Sequence, residues 1–446
     1  MREDGIGDCA HSVIGAAYIS NCRKGLKTIL NCEMLLPTSN WKKLKMAILR
    51  AVMFGIMLMT DYTAKLLDLE DVIITKAENI SDQLHISIEL PRKEHTCPVC
   101  GAVTDRVHDY RIQIIKDIPI ARDTFLRLRK RRYRCDHCGK RFAEENTFAP
   151  RYYRVTSRLV TSVIHEFRKV IPVKEIAARF NISAPTAMRY FAPVSYHCRK
   201  LPEVLSIDEF KGNAGGQKYQ TILTDPKERK ILDILPDRYE SNLIQYFKEH
   251  NDRENVKYFI SDMNPHFREV AKVCFPKATI IADRYHVTRQ AMWGMERVRV
   301  NEQKKLSDDF RKYFKRSRWL LNKSPEKLTD EDRMRLALMF EIAPRLADAY
   351  RVKNEFLEVM HAQSAKEGKQ KLIQWLWSVE AMELPEFEAC TKACHNWFQE
   401  ILNALDAPWT NGFTEGCNNK IKVLKRVSFG VRNFKNFRKR ILHCAT

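Results

Sequence analysis

The chain has 446 residues, too many for one ordinary domain, and 44% of them are hydrophobic, enough for more than one core. Lys and Arg number 77 against 55 Asp and Glu, a net charge of +22, so the expected partner is a polyanion such as nucleic acid. The longest apolar run, Ala51 to Met59, falls far short of the ~20 residues a spanning helix needs, and no clean signal-peptide pattern opens the chain. A membrane partner is therefore excluded, the expected setting is cytoplasmic, and the thirteen cysteines are read as thiols and metal ligands rather than disulfides.

Residues 1–58 carry scattered cysteines (Cys9, Cys22, Cys32) and a basic patch at Trp41–Lys45, and support no functional reading. Strands are expected at Asp71–Lys76 and Leu84–Leu90, the latter alternating apolar and polar residues. Cys97-Pro-Val-Cys100-Gly101 is answered by Cys135-Asp-His-Cys138-Gly139. Two such pairs, each followed by glycine, read as knuckles whose four sulfurs close a tetrahedral, structural zinc site. The gap between the pairs exceeds usual ribbon spacing and has room for two strands, Gln113–Ile118 and Thr124–Arg134. His95, His108 and His137 are spare ligand candidates. Leu126–Arg134 holds six cations, among them Arg129 and Arg131, which suit either a solvated edge strand or phosphate contact.

Val173–Phe191 has the pattern of a helix-turn-helix. Ile176, Ala177 and Phe180 form the inner face of the first helix, Ile182 is the plug of the turn, and Ser183 caps the second helix. Ala187, Tyr190 and Phe191 anchor that helix and leave Thr186, Met188 and Arg189 facing outward, where a recognition helix meets base edges. A plain helical hairpin has the same pattern.

Val204–Phe210 is an apolar strand that carries Asp208. Lys218–Thr224 and Lys230–Leu235 follow across short turns as an antiparallel meander, then a helix from about Glu240 to His250. Val256–Asp262 is a strand ending in a carboxylate. Asn264 caps the next helix, Pro265 suits its first position, and Phe267, Val270, Ala271 and Cys274 make its apolar face. Ala278–Ala282 is another strand, ending at Asp283-Arg-Tyr-His286. Strand, helix, strand implies a parallel pair, and in open α/β sheets chemistry gathers at the carboxyl ends of the strands. The order is thus βββαβαβ.

From Val287 to Ala404 the periodicity is helical, and Trp293, Trp319, Trp375, Trp377 and Trp397 are read as anchors between helices. The chain ends with Pro408–Arg426, in which Asn411 or Thr414 caps a helix bearing Glu415 in its first turn. No acid follows Gly416, whereas Lys420, Lys422, Lys425 and Arg426 line this helix and further cations follow, with Phe429, Phe434 and Phe437 among them. An unpaired Glu415 ahead of a wholly basic segment is an odd choice for solubility alone, and acids on a basic chain are compatible with phosphodiester chemistry. Two divalent ions about 4 Å apart can activate water and stabilise the leaving oxygen, and Mg²⁺ (or Mn²⁺) prefers carboxylate oxygens.

Ser206-Ile-Asp-Glu-Phe210, Ser261-Asp-Met-Asn264, Asp283-Arg-Tyr-His286 and Asn411-Gly-Phe-Thr-Glu-Gly-Cys-Asn-Asn-Lys-Ile-Lys422, in that order, resemble the insertion-sequence transposases of the ISL-three family. The resemblance runs from about Thr60 to His443. It implies an RNase H-like α/β core with a mixed sheet, split by an all-α insertion, acting through a DDE triad of Asp208, Asp262 and Glu415 that holds two Mg²⁺ ions. Asp283 and His286 match an accessory element. The implied layout is a zinc-binding domain over 59–150, a helix-turn-helix over 151–200, the core over 201–288 and 406–446, and the insertion over 289–405. Such proteins start near Met59, so residues 1–58 are expected to be an extension foreign to the native protein. The implied partners are double-stranded DNA, both transposon ends and target, and further copies of this chain, as a dimer or higher on paired ends. The alternative is a catalytically inactive DNA-binding regulator derived from a transposase.

Overall fold

A computed structural model describes residue 69, residues 71–151 and residues 153–445. The expectation for residues 1–58 falls outside these. The chain divides near residue 158 into two compact units.

The first unit is built on a five-stranded sheet. Its strands are β1 (Ile73–Ile80), β2 (Gln83–Glu89), β5 (Val107–Ile120), β6 (Arg122–Arg134) and β7 (Arg141–Ala143), in the order β1-β2-β6-β5 with β7 also on β6. The strands expected at 113–118 and 124–134 are longer than their apolar cores, because β5 and β6 form one long antiparallel hairpin. Ile86, Ile88, Ile115, Leu126 and Leu128 bury one face of the sheet. Between β2 and β5 lies the short ladder of β3 (His95–Thr96) and β4 (Val103–Thr104).

The second unit opens with helices α1 (Ser157–Glu166), α2 (Val173–Arg179) and α3 (Ala184–Phe191). Asn181 turns the chain at φ 46°, and Ser183 Oγ accepts from the Thr186 N–H at the start of α3. Ile176, Ala177, Phe180, Ala187, Tyr190 and Phe191 are buried, as their spacing requires, whereas Ile182 is only half-buried.

A mixed sheet follows, in the order β10-β9-β8-β11-β12: β8 (Val204–Phe210), β9 (Gln220–Asp225), β10 (Lys230–Leu235), β11 (Tyr258–Ser261) and β12 (Thr279–Ala282). The three strands of the meander are antiparallel, while β11 runs parallel to both β8 and β12. Parallel neighbours need a crossover, supplied by α4 (Glu240–Lys248) before β11 and α5 (Pro265–Cys274) after it. Asn264 caps α5 through the His266 N–H, and Phe267, Val270, Ala271 and Cys274 are its buried face.

The strand period of two divides this sheet's core. Leu205, Ile207, Leu223 and Phe259 point to the face covered by α4 and α5. Phe210, Ile222 and Ile234 point to the other face, covered by α14 (Gly412–Val427) and α15 (Phe434–Ala445) through Cys417, Ile421, Leu424, Phe437 and Ile441. Each such buried side chain contributes about 1.5–3 kcal/mol. Ser206 and Asp208 lie on this second face of β8.

Between β12 and α14 the chain is helical, from α6 (Arg284–Lys304) to α13 (Phe398–Asp406). The excursion begins and ends at β12: Asn403 donates to the Ile280 carbonyl, and the Arg284 guanidinium, at the start of α6, binds the Ala404 carbonyl. Trp375 and Trp397 are core anchors as expected. Trp293, Trp319 and Trp377 are exposed instead. Trp293 is covered by the Arg289 guanidinium at 4.5 Å and Trp319 by the Lys323 ammonium at 5.4 Å.

The basic C-terminal helix is in part a clamp. Arg438 Nε binds Asp233 Oδ1 of β10 at 2.6 Å, Lys439 caps the Ala192 carbonyl after α3, and His443 Nε2 meets the Ile164 carbonyl of α1. Arg440 is buried, donates to the Lys169 and Ile171 carbonyls and lies over the Phe167 ring. Replacing Arg440 by Ala removes a donor to two part-buried carbonyls and the packing over Phe167. It is expected to cost about 2 kcal/mol of unfolding free energy, whereas Arg432→Ala, at an exposed position of the preceding loop, stays near zero; denaturant titration of both variants checks this.

Candidate active site

The sheet register brings the acids together. Ile260 pairs with Ser206 and Ser261 with Ala282. The Asp283 N–H donates to the Ser261 carbonyl, which carries the β11–β12 ladder on and sets Asp262 beside Asp283. On the other side Asp262 acts on Asp208, which lies within β8, two residues before its end.

Like charges buried this close raise one another's pKa. Burial, then Asp262, push Asp208 up to about 7. Burial lifts Asp262 to about 6 against the opposing pull of His286. Asp283 is also raised by burial, and His286, whose Nε2 lies 3.7 Å from Asp283 Oδ2, again opposes it. Asp283 caps α6 through the Tyr285 N–H. Glu209, beside Asp208, adds repulsion to both Asp208 and Asp262 and is itself paired with Arg238 at 2.6 Å.

Glu415 arrives from the far end of the sequence. It lies in the first turn of α14 and is exposed. Asn411 takes the N-cap position, as expected, and its carbonyl accepts from the Glu415 N–H, but its side chain makes no cap bond. Asn411 Oδ1 accepts from Ser206 Oγ, and Thr414 Oγ1 lies 3.1 Å from Ser206 Oγ and 2.7 Å from Thr224 Oγ1. Asn418 Nδ2 donates to Asp208 Oδ2 at 2.8 Å. Positions 411, 415 and 418 form one helical stripe, so Glu415 lies between two residues that both bond β8. Its charge raises the Asp283 pKa.

The donor set is hard oxygen, which suits Mg²⁺ or Mn²⁺. Asp262 Oδ1 and Asn418 Oδ1 are buried without a hydrogen-bond partner, as oxygens are where a cation or its water shell is to be received. The acids are nonetheless spread apart: among the described residues, the cysteines form the only group of three or more potential ligands all within 4.8 Å of one another.

That group is Cys97, Cys100, Cys135 and Cys138. Cys97 Sγ lies 3.6 Å from Cys138 Sγ, and Cys100 Sγ 3.5 Å from Cys135 Sγ. Four thiolates at ~2.3 Å from a tetrahedral zinc have nearly this spacing. Both knuckles share one backbone plan. The Cys97 and Cys135 N–H groups bind the Ala102 and Lys140 carbonyls, and Gly101 and Gly139 turn at φ 73° and 70°. The N–H groups of Cys100 and Val99 face the Cys97 sulfur and bring its pKa down to about 6. His95, His108 and His137 are not part of the cluster, and His95 packs against the Tyr133 ring at 4.4 Å.

The DNA-facing expectations divide. Arg131 is corrected: it is 8% exposed, buried against Glu144 and Glu89 and donating to the Leu90 carbonyl. It shares a strand face with exposed Arg129 and is buried because Glu89 and Glu144 enclose it there. Arg129 stays exposed, over the Tyr110 ring and paired with Glu89. On α3, Arg189 is exposed, while Met188 and Thr186 are half-buried and Thr186 is bonded to Ser183. Lys420, Lys422 and Arg426 are exposed; Lys425 is half-buried and donates to the Lys211 carbonyl. Phe429, in the turn after α14, is 93% exposed at φ 52°.

The comparisons with known proteins match these features. A model of the ISL3 transposase family, described as "Transposase", matches residues 205–441. The chain belongs to the ISL3 transposase family. A second model, described as the zinc-finger of transposase IS204/IS1001/IS1096/IS1165, matches residues 93–138. Similar proteins include the transposase for insertion sequence element IS1001 of Bordetella parapertussis, 27% identical over 79% of this chain and 89% of the relative. The transposase for element IS1557 of Mycobacterium tuberculosis (strain CDC 1551 / Oshkosh) is 24% identical over 48% of this chain and 54% of the relative. As an ISL3 transposase the chain is a DNA-cleaving and strand-transferring enzyme with an RNase H-like core and a structural zinc ribbon. Among the described residues no helix is long and apolar enough to cross a membrane.

The quoted motifs contained Ser206, Asn411, Thr414 and Asn418, yet the sequence reading gave no tertiary role to any of them. The signal was available in the spacing of 411, 415 and 418, which is the stripe of one helix face.

Two outcomes follow from these sites. Cys97→Ser leaves three thiolates, and zinc content by atomic absorption is expected to fall from near one per chain toward zero, with a lower melting temperature. Asp208, raised from 3.8 to about 7 in the folded chain, binds more protons folded than unfolded. In chelator-treated protein this acid's contribution to stability therefore falls as pH rises from about 4 to 7; Asp208→Asn removes that slope, as thermal melts across the window measure.

Proposed function

We propose that this transposase binds the terminal inverted repeats of its own insertion sequence and performs strand cleavage and strand transfer through Asp208, Asp262 and Glu415. One observation supports the reading: Asp262, just past the end of β11, is near enough to act on Asp208 of the neighbouring strand β8, and α14 carries Glu415 between two residues bonded to β8.

When bound, two Mg²⁺ or Mn²⁺ ions held by these three carboxylates supply the Lewis acidity that activates water and stabilises the leaving oxygen. The chain's own residues do the rest. Asp208, with Oδ1 on the Glu209 N–H and Oδ2 on Asn418, is oriented before any ligand arrives. With Asp262 and Glu415 it would hold the ions. Asp283 and His286 hold the accessory position, with His286 as the counter-charge to the two neighbouring aspartates. Water cleaves the phosphodiester at the element's end, and the freed 3′-OH then attacks a target phosphodiester and releases its 3′ oxygen as the leaving group.

In the same proposal α2 and α3 are a helix-turn-helix reader that presents Arg189, Thr186 and Met188 to the inverted repeats, together with the zinc module and Arg129. Lys420, Lys422, Lys425 and Arg426 follow Glu415 along α14 and hold phosphates near the cut. The block over 289–405 is an insertion in the core, supported by its departure from and return to β12. Two ends must be joined, which calls for a dimer or a higher assembly.

Asp208→Asn, Asp262→Asn and Glu415→Gln are each expected to lower Mg²⁺-dependent nicking of end-containing DNA by at least a thousandfold while retaining end binding in a mobility-shift assay. Wild-type cleavage by any one variant removes that residue from the triad. A wild-type protein that binds ends and never nicks them is a regulator instead.

A further inference from the structure

Asn418 is 5% exposed, one turn along α14 from Glu415. Its amide nitrogen is used: Nδ2 donates to Asp208 Oδ2 at 2.8 Å. Its amide oxygen is not: Oδ1 is buried and has no partner, and Asp262 Oδ1 is in the same condition. A buried acceptor left without a donor costs about 1–3 kcal/mol, and a helix facing a sheet has many apolar residues that avoid the penalty. Before it on the stripe, Asn411 Oδ1 and Thr414 Oγ1 meet Ser206 and Thr224, although Asn411 Nδ2 is also buried without a partner. The unmet acceptor oxygen of the stripe is the one on Asn418, beside Asp208.

We infer that Asn418 is a positioning residue of the metal centre, fixing Asp208 through Nδ2 and accepting through Oδ1 from the water shell of a bound divalent cation. An amide suits both tasks. It carries a donor and an acceptor on one rigid plane, and it adds no fourth negative charge beside Asp208, Asp262 and Asp283. A carboxylate ionised at this position cannot donate to Asp208, and an alkyl side chain can do neither. Each carboxylate oxygen has two lone-pair directions, so Asp208 Oδ2 keeps the Asn418 bond while it serves a cation. Outer partners of this kind set metal affinity within about 10–100-fold.

The inference rests on the proposed metal centre, and the test separates the two. Mn²⁺ alone is titrated into the full-length, chelator-treated protein and followed by calorimetry and by electron paramagnetic resonance, with wild type, Asn418→Ala and Asn418→Asp. Wild type is expected to bind, and Asn418→Ala to bind about 10–100-fold more weakly, with nicking recovered as Mn²⁺ is raised. Asn418→Asp keeps the shape and the acceptor and adds repulsion to Asp208. Its metal-free form should melt lower than wild type, and Mn²⁺ should raise its melting temperature by more. That second variant serves should the alanine protein fail to fold. Equal Mn²⁺ affinity in wild type and Asn418→Ala, or equal Mn²⁺-induced melting shifts in wild type and Asn418→Asp, overturns the inference and leaves the metal centre standing. Absence of Mn²⁺ binding by wild type overturns the metal centre itself.

Discussion

Three carboxylates on or just beyond three adjacent parallel strands, Asp208 within β8 and Asp262 and Asp283 after β11 and β12, are the feature on which the second unit turns. Backbone hydrogen bonding between these strands keeps the acids near one another. Burial then removes the water that would screen them. The structure answers with partial remedies: backbone N–H groups on Asp208 and Asp283, the Asn418 amide on Asp208, and the His286 imidazole beside Asp283. None of these cancels the repulsion, and the pKa values of Asp208 and Asp262 stay high. A site held in that condition favours protons, and on the proposed reading divalent cations compete with them for the same oxygens.

The last part of the chain has two physical tasks. The first half of α14 lays a polar stripe along β8, where Asn411, Thr414 and Asn418 meet Ser206, Thr224 and Asp208. Further along, Cys417, Ile421 and Leu424 bury against the same sheet face and hold the stripe in register. The final helix then uses Arg438, Lys439, Arg440 and His443 to tie β10 to the helices near residues 164–192. Arg438, Lys439 and Arg440 are spent on carbonyls and an aspartate, and Lys420, though exposed, donates to the Cys444 carbonyl, while Lys422 and Arg426 remain exposed. A net positive charge therefore counts two populations: those that hold the fold and those left for a partner.

Much of the architecture was legible from local pattern. Asn264-Pro265 followed by Phe267, Val270, Ala271 and Cys274 announced α5, because caps and apolar stripes act within a few residues. The two C-x2-C-Gly pairs announced the zinc cluster, since each knuckle is a local turn whose glycine supplies the left-handed φ. Legibility failed where a residue's role depends on distant neighbours. Arg131 lies in a basic run that reads as phosphate-binding, yet Glu89 and Glu144 take it. Trp293, Trp319 and Trp377 have the spacing of core anchors, yet they stay exposed, Trp293 and Trp319 under a cation, whereas Trp375 and Trp397 are buried. The side chains of Asn411 and Thr414 have cap chemistry, yet bond to β8 and β9 instead.

The sequence by itself determined the elements and their order: strands with period two, helices with their caps, the paired cysteines, and acids at the strand ends. Those follow from interactions between residues close along the chain, which a linear pattern records. Only the tertiary structure decided which side of β8 meets α14, that Asn418 reaches Asp208 from 210 positions away, and which cations are buried rather than free. Such pairings are made by the closing of the sheet and the return of the chain after the helical block, and the pattern of neither partner contains the other.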